Sequence, residues 1–221
     1  DAQELAKVRA NRAASAEAYF SAVAEEWDSI RALHFPNEAI EQALLQAAGP
    51  GPFQRVVDLG TGTGRMLALF APLAREAEGL DLSHQMLTVA RANLAKAGIS
   101  HASVRQGDVC ATPFEDASAD LVIVHQVLHY LQDPAAVLQE VERVLKPGGR
   151  VLIVDFAPHK LDFLRTEHGH RRLGIRQEDM AGWAEAAGLD LAAPRHFDPP
   201  ATLEKGLGVH VWSATRAPSS K

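Results

Sequence analysis

The chain has 221 residues, 47% of them hydrophobic, a formal net charge of −6 and a single cysteine, Cys110. That length supports one substantial domain, or a domain with a helical appendage; no apolar run approaches the ~18–20 residues of a membrane span, and a lone thiol excludes a disulfide framework or multi-thiolate metal site. The negative balance argues against nonspecific nucleic-acid binding by this segment, because a phosphate backbone needs a basic surface.

Residues 2–31 are rich in Ala, Glu and Arg, with Leu5, Val8, Tyr19, Phe20, Val23 and Trp27 at helical spacing. A second helix is expected from Pro36 to Ala48, ended by Gly49-Pro50-Gly51-Pro52. Short apolar runs then alternate with helical patterns. The predicted strands are Val56–Leu59, Ala77–Leu82, Ser103–Gln106, Leu121–Val124 and Val151–Phe156. The predicted helices are Arg65–Ala74, Ser83–Ala97 (N-cap Ser83, Gly98 just beyond its end) and Pro134–Leu145. Such alternation predicts a parallel sheet with helices on both faces. A helix over Glu178–Ala187 follows, then strands Leu189–Phe197 and Val209–Thr215, expected to pair as an antiparallel unit at the sheet edge.

The chemistry gathers at strand ends. Val56-Val57-Asp58-Leu59 runs into Gly60-Thr61-Gly62-Thr63-Gly64 and then a helix. Glycines there let the backbone approach a ligand, and a helix start presents free N–H groups. The dinucleotide fingerprint is not met, since Arg65 stands where its third glycine belongs; no Gly-Lys-Ser/Thr follows either. Asp58 beneath the turn would repel a pyrophosphate and attract an ammonium or sulfonium. Asp81 ends the second strand, where an acid accepts ribose hydroxyls, and Asp108 follows the third, where it could hold an exocyclic amine.

The ordered elements VVDLGTGTGRM, EGLDLSHQML, VRQGDVCATPF, DLVIVHQVLHYLQDP and LKPGGRVLIVDF resemble the class I S-adenosylmethionine-dependent methyltransferases over about Arg55–Phe156. The resemblance implies a Rossmann-like, doubly wound α/β fold. Its seven-stranded, mostly parallel sheet would carry an antiparallel C-terminal strand and an N-terminal helical extension. Residues 1–50 would form that extension or lid, and 51–221 the methyltransferase domain. The implied cofactor is S-adenosyl-L-methionine. Asp58, Gly60, Thr61 and Gly62 would hold its methionine part, Asp81 its ribose, Leu82 and Met86 its adenine, and Asp108 with Val109 the adenine amine. His125 would stand near the sulfonium. The lead-in AYFSAVAEEWDSIRALHFP and the later EHGHRRLGI also resemble methyltransferase domains fused behind ArsR-type winged-helix regulators. With Asp1 in place of Met, this suggests an absent upstream DNA-binding domain. Location in the cytoplasm and a homodimer are further expectations.

The acceptor side is read from histidines, which titrate near neutral pH. His125, His129 and His159 are the candidate catalytic residues; Tyr19, His159, His168, His170 and Arg171 are the candidate substrate-binding residues. His125 and His129 are four apart and could share a helical face, but no third ligand has fixed spacing, so no metal is expected. Asp198-Pro199-Pro200-Ala201 looks like the motif of amino-methylating nucleic-acid enzymes but lies far from the fourth strand, and reads as a turn. A single cysteine disfavours arsenite as acceptor, which leaves a small organic molecule. Two other readings stay open. One is a module that senses S-adenosylmethionine or its demethylated product without turnover. The other is an NAD-dependent oxidoreductase.

Overall fold

The computed structural model describes residues 18–19, 22–24, 37–167, 169–199 and 206–218. The expected helix over 2–31 therefore lies outside the described residues, apart from helical pieces at 18–19 and 22–23. Helix α1 (Asn37–Ala48) leads into β1 (Phe53–Leu59). Then come α2 (Arg65–Phe70), β2 (Ala74–Asp81), α3 (His84–Lys96), β3 (Ala102–Gln106), β4 (Ala119–His125), α4 (Pro134–Val144) and β5 (Leu145–Phe156). The short α5 (Phe163–Glu167), α6 (Gln177–Ala186), β6 (Leu189–Leu191), β7 (Arg195–Phe197) and β8 (Val209–Arg216) complete the order.

The sheet runs β3-β2-β1-β4-β5-β8-β6, with β7 also on β8. The first five strands are parallel, and β8 enters antiparallel between β5 and the edge. Alternation sorts the core: Val56, Leu121, Ile123, Leu152 and Val154 meet α1 and α2, while Val57, Val122, Val124, Val151 and Ile153 meet α4 and α6. β4 is thus buried on both faces, as its unbroken apolar run predicts. Strand order reverses between β1 and β4, the place where open α/β sheets bind ligands beyond their strand C-termini.

Two expected elements are divided. The segment expected as one strand, Leu189–Phe197, is two, so the sheet holds eight strands where seven were expected, in seven positions. Leu191 pairs with Ala214 and Arg195 with Val211, so four residue steps face three; the extra residue and the missing N–H of Pro194 break the ladder. Similarly, the helix expected to Ala74 stops at Phe70. A 3-10 turn, Ala71–Leu73, contains Pro72, and Ala74 already belongs to β2. Ser83 caps α3 as expected, accepting the Met86 N–H, and Gly98 follows at φ +71.

The loop entering β4 is fixed by α4. Arg143 donates to both Glu140 oxygens (3.0 and 2.8 Å), to Asp116 (2.6 Å) and to the Phe114 carbonyl (2.7 Å). Thr112 gives Glu140 its N–H and O–H, both at 2.8 Å. Arg143 above all holds the Glu140 carboxyl at about 2 against an ordinary 4.5. A carboxyl lowered by folding stabilises above its ordinary value, and the benefit disappears as pH falls towards the lowered one. Melting temperature should therefore drop from about pH 5 down to about pH 2. Glu140→Gln should cost about 1–2 kcal/mol at neutral pH and flatten that drop, in a thermal melt series; an unchanged slope would refute the assignment.

Candidate active site

β1 delivers its C-terminus into a turn that only glycine builds. Gly60, Gly62 and Gly64 lie at φ +76, +54 and +80. The amides of Gly60 and Thr61 both donate to the Leu80 carbonyl (2.7 and 2.9 Å), which ties the turn to β2. A Cβ on Gly60 would stand 2.3 Å from Val127 Cγ2, and one on Gly64 would press Ala90 of α3 at 3.2 Å. The turn therefore touches the loop after β4 with nothing between them.

Two acids contact this turn and a third follows the next strand of the sheet. Asp58 is buried beneath it and accepts the Thr61 hydroxyl at 2.6 Å. Asp81 takes the Gly62 N–H on one oxygen and the Ser83 N–H on the other, each at 2.9 Å. Burial raises the Asp81 carboxyl, and these amides pull against that rise. Asp108 accepts the Cys110 N–H at 2.8 Å, with Val109 buried beside it. Beyond Asp81, Leu82 is 47% exposed, an apolar surface open to a flat ring, whereas Met86 is buried and can only back it. Bare backbone at the turn, a buried carboxylate below and an exposed leucine past the second acid fit an S-adenosylmethionine-shaped ligand.

Past β4 the chain turns sharply: Gln126 takes φ +57, and its N–H returns to the Val154 carbonyl at 2.7 Å. His125 is the last residue of β4, and His129 lies in a 3-10 turn, Leu128–Tyr130. His125 and His129 therefore share no helical face. His129, buried, places Nδ1 2.7 Å from Asp155 Oδ1 at the end of β5. Asp155 is wholly buried and accepts two more N–H groups, from His129 (3.3 Å) and Phe156 (2.8 Å).

Aromatic rings close around this pair. His129 packs on Tyr130, Phe156 and His170 with centroids 4.0, 4.9 and 4.3 Å away, and His170 stacks on Phe156 at 16°. His159 meets Phe156 and His170 edge-on at 6.3 and 6.5 Å. Its Nδ1 accepts the Leu161 N–H at 3.2 Å. Burial first, then His129, lowers the His159 pKa. The loop carrying His170 is held in place by the amides of Arg171 and Arg172, which donate to the His129 carbonyl at 2.9 and 3.1 Å. Tyr130 is raised well above its ordinary value by burial, with Tyr19 and Asp155 contributing, so Tyr19 belongs to the same neighbourhood.

The structure thus gathers His129, His159, His170 and Tyr19, and brings the Arg171 backbone, beside the loop that touches the glycine turn. His168 lies outside the described residues. Among those described, no three His, Cys, Asp or Glu side chains are set to hold a metal. Asp198 accepts from His196 at 3.0 Å just after β7; the turn expected over Asp198–Ala201 extends outside the described residues. Asp155, Tyr130, Gln126 and Gly79 escaped the sequence reading. A lone acid closing a strand buried on both faces was the signal for Asp155. No pattern pointed to Gly79, where a Cβ would lie 2.6 Å from Thr61 Oγ1.

Residues 57–153 match the family model described as "Methyltransferase domain". The chain is 30% identical to the ubiquinone biosynthesis O-methyltransferase of Ralstonia nicotianae, over 91% of this chain and 93% of that protein. It is 35% identical to the uncharacterized methyltransferase YcgJ of Bacillus subtilis over 47% of this chain, and there spans only 42% of the relative's length. Its fold is shared, at TM-score 0.76 and 22% identity, with a chain of the complex between the Haloferax volcanii Trm112 methyltransferase activator and a methyltransferase. That likeness covers 93% of this chain and 98% of the other.

Gly60→Ala, by driving a methyl group into Val127 at a positive φ, should lower S-adenosylhomocysteine affinity at least about tenfold and destabilise by about 1–3 kcal/mol. Calorimetric titration with a parallel melt measures both; native affinity in this variant would show that the turn does not hold the ligand.

Proposed function

This chain belongs to the class I S-adenosylmethionine-dependent methyltransferases, and we propose that it methylates a hydroxyl of a small organic acceptor. The observation that carries this reading is the buried His129–Asp155 pair, set at the strand C-termini beside the loop that abuts Gly60. The Ralstonia relative matched over nearly its whole length is named an O-methyltransferase, which supports oxygen as the acceptor atom.

Asp58, Gly60, Thr61 and Gly62 would hold the methionine end of the cofactor. Asp81, Leu82 and Met86 would hold ribose and adenine, Asp108 and Val109 the adenine amine, and His125 would face the sulfonium. Bound there, S-adenosylmethionine supplies an electrophilic methyl whose C–S electron pair leaves with sulfur as the acceptor's pair forms the new bond. The protein's own share is alignment, exclusion of water and custody of one proton. His129 is the general base: Asp155 fixes Nδ1 as the donor side of the ring and leaves Nε2 as the basic nitrogen. His159, His170, Arg171 and Tyr19 would line the acceptor, with His168 in the same loop, and His125 and His159 would assist placement.

α1 packs into the core, so of residues 1–50 only those before it would close over the site as a lid, a role supported by the contribution of Tyr19 to the raised Tyr130. The net charge of −6 supports a non-nucleic-acid acceptor for this segment; DNA contact would fall to an upstream domain of ArsR type. No helix among the described residues is long and apolar enough to cross a membrane.

A screen of metabolite extracts for S-adenosylhomocysteine release tests the activity. With an acceptor in hand, His129→Gln should lower kcat about 10²–10⁴-fold while leaving S-adenosylhomocysteine affinity within about threefold. Asp155→Asn should cost less, about tenfold, because an amide oxygen still accepts from Nδ1. Unchanged turnover in His129→Gln would remove the base from the proposal.

A further inference from the structure

Away from the acceptor cluster, two histidines face each other where β7 lies on β8. His196 and His210 are direct partners across this antiparallel pair, so their side chains leave the same face of the sheet. Their ring centroids are 4.9 Å apart at an interplanar angle of 67°. His196 is held from behind, with Nε2 3.0 Å from Asp198 Oδ1. A carboxylate there holds the ring by its Nε2–H and leaves Nδ1 as the nitrogen that a proton or a metal ion can take. Gly208 flanks the same ring closely, since a Cβ there would stand 3.0 Å from His196 Cε1. His210 packs edge-on against Trp212 at 5.0 Å, and its Nδ1 is buried with no hydrogen-bond partner among the described residues. Burial first, then His196, lowers the His210 pKa, which favours the unprotonated ring that a metal requires.

We propose that His196 and His210 form a site for a divalent first-row transition metal, Cu(II), Ni(II) or Zn(II), with water completing its coordination. Two imidazole nitrogens about 2.0–2.1 Å from one ion, at tetrahedral or square-planar angles, set their ring centroids about 5 Å apart. The observed 4.9 Å meets that requirement. Ring packing alone would account for the distance, but not for the carboxylate behind His196 or the unpartnered nitrogen of His210. Asp198 is bound to the remote nitrogen of His196, so it orients a ligand and does not add a third. That agrees with the absence of any three-ligand group among the described residues. Mg(II) and Ca(II) prefer oxygen ligands and do not suit two imidazoles, and an anion would meet the Asp198 carboxylate.

An ion can reach the pair from solvent, because the His196 side chain is 45% exposed. Once bound, it would join β7 to β8 through side chains. β7 is only three residues long and is cut off from β6 by the break at Pro194, so few ladder bonds hold it otherwise. The site uses no residue of the proposed methyl transfer, and the inference stands or falls independently of that reading.

The test titrates the full chain, free of any histidine tag, with CuCl2, NiCl2, ZnCl2 and MgCl2 by calorimetry. One equivalent of each transition ion should bind through this pair, Cu(II) tightest, and Mg(II) should not. His196→Ala and His210→Gln should each abolish that equivalent, and Asp198→Asn should weaken it about tenfold. Electron paramagnetic resonance of bound Cu(II) should show splitting by imidazole nitrogens that each histidine variant loses. The transition ions should also raise the melting temperature of the native chain and not that of the variants. A native-like melt in metal-free buffer establishes that a variant is folded; His196 is the more exposed of the two, so His196→Ala decides the matter should His210→Gln fail to fold. Binding of Cu(II) and Ni(II) that is equal in the native chain and in His196→Ala, or no binding by the native chain, would overturn the inference.

Discussion

The site depends on one contact, the bare α-carbon of Gly60 against the side chain of Val127. β1 and β4 are neighbours in the sheet, so their C-terminal loops must share the space above it. Removing the side chain from one loop is how they share it. Gly60 lies at positive φ and fastens to Leu80, while Val127 sits between the strand residue His125 and the 3-10 residue His129. The glycine turn and the loop after β4 are therefore one packed unit. A displacement of either is transmitted to the other, because close-packed side chains cannot yield by compression.

The cluster beyond that contact is polar, yet it is packed like a core. A wholly buried carboxylate costs several kcal/mol unless it is paired and hydrogen-bonded. Asp155 meets this with three donors from two segments: the His129 ring, the His129 amide and the Phe156 amide. The His129 carbonyl is in turn taken by two amides from the loop after α5. Backbone bonds therefore fix the His129 ring from both sides, which is what a base aimed at one proton requires.

Legibility from sequence followed locality. The glycine turn, Asp58, Asp81 and Asp108 were readable because each sits one or two residues from the end of a strand whose apolar run announces itself. Ser83 and Gly98 were readable as helix punctuation for the same reason. Asp155 was not, because its meaning comes from His129, 26 residues earlier, and only the parallel pairing of β4 with β5 brings them together. Gly79 looks like an unremarkable strand residue until the fold places Thr61 across it. The divided edge strand was hidden for a related reason: its break depends on register with β8, which no local pattern encodes. The four-residue spacing of His125 and His129 places them on one face only if a helix is present, and Gln126 reverses the chain instead.

Two buried carboxylates give the proposed chemistry its electrostatic frame. Asp58 lies under the glycine turn at 1% exposure, and Asp155 lies under His129 at 0%. In the proposed arrangement Asp58 would stand beneath the methionine end of the cofactor, and Asp155 where a positive charge would appear as His129 takes a proton. In a low-dielectric interior an isolated charge created during a reaction is expensive, and so is one left without its partner. With a carboxylate at each end, positive charge would move between two prepared places and the total within the site would not change. A base lacking Asp155 would have to create its cation unaided among Phe156, Tyr130 and His170. That is why the cost of removing Asp155 should show in the rate of the proton-coupled step, while the affinity of the donor site, built on Asp58 and the glycines, stays as it was.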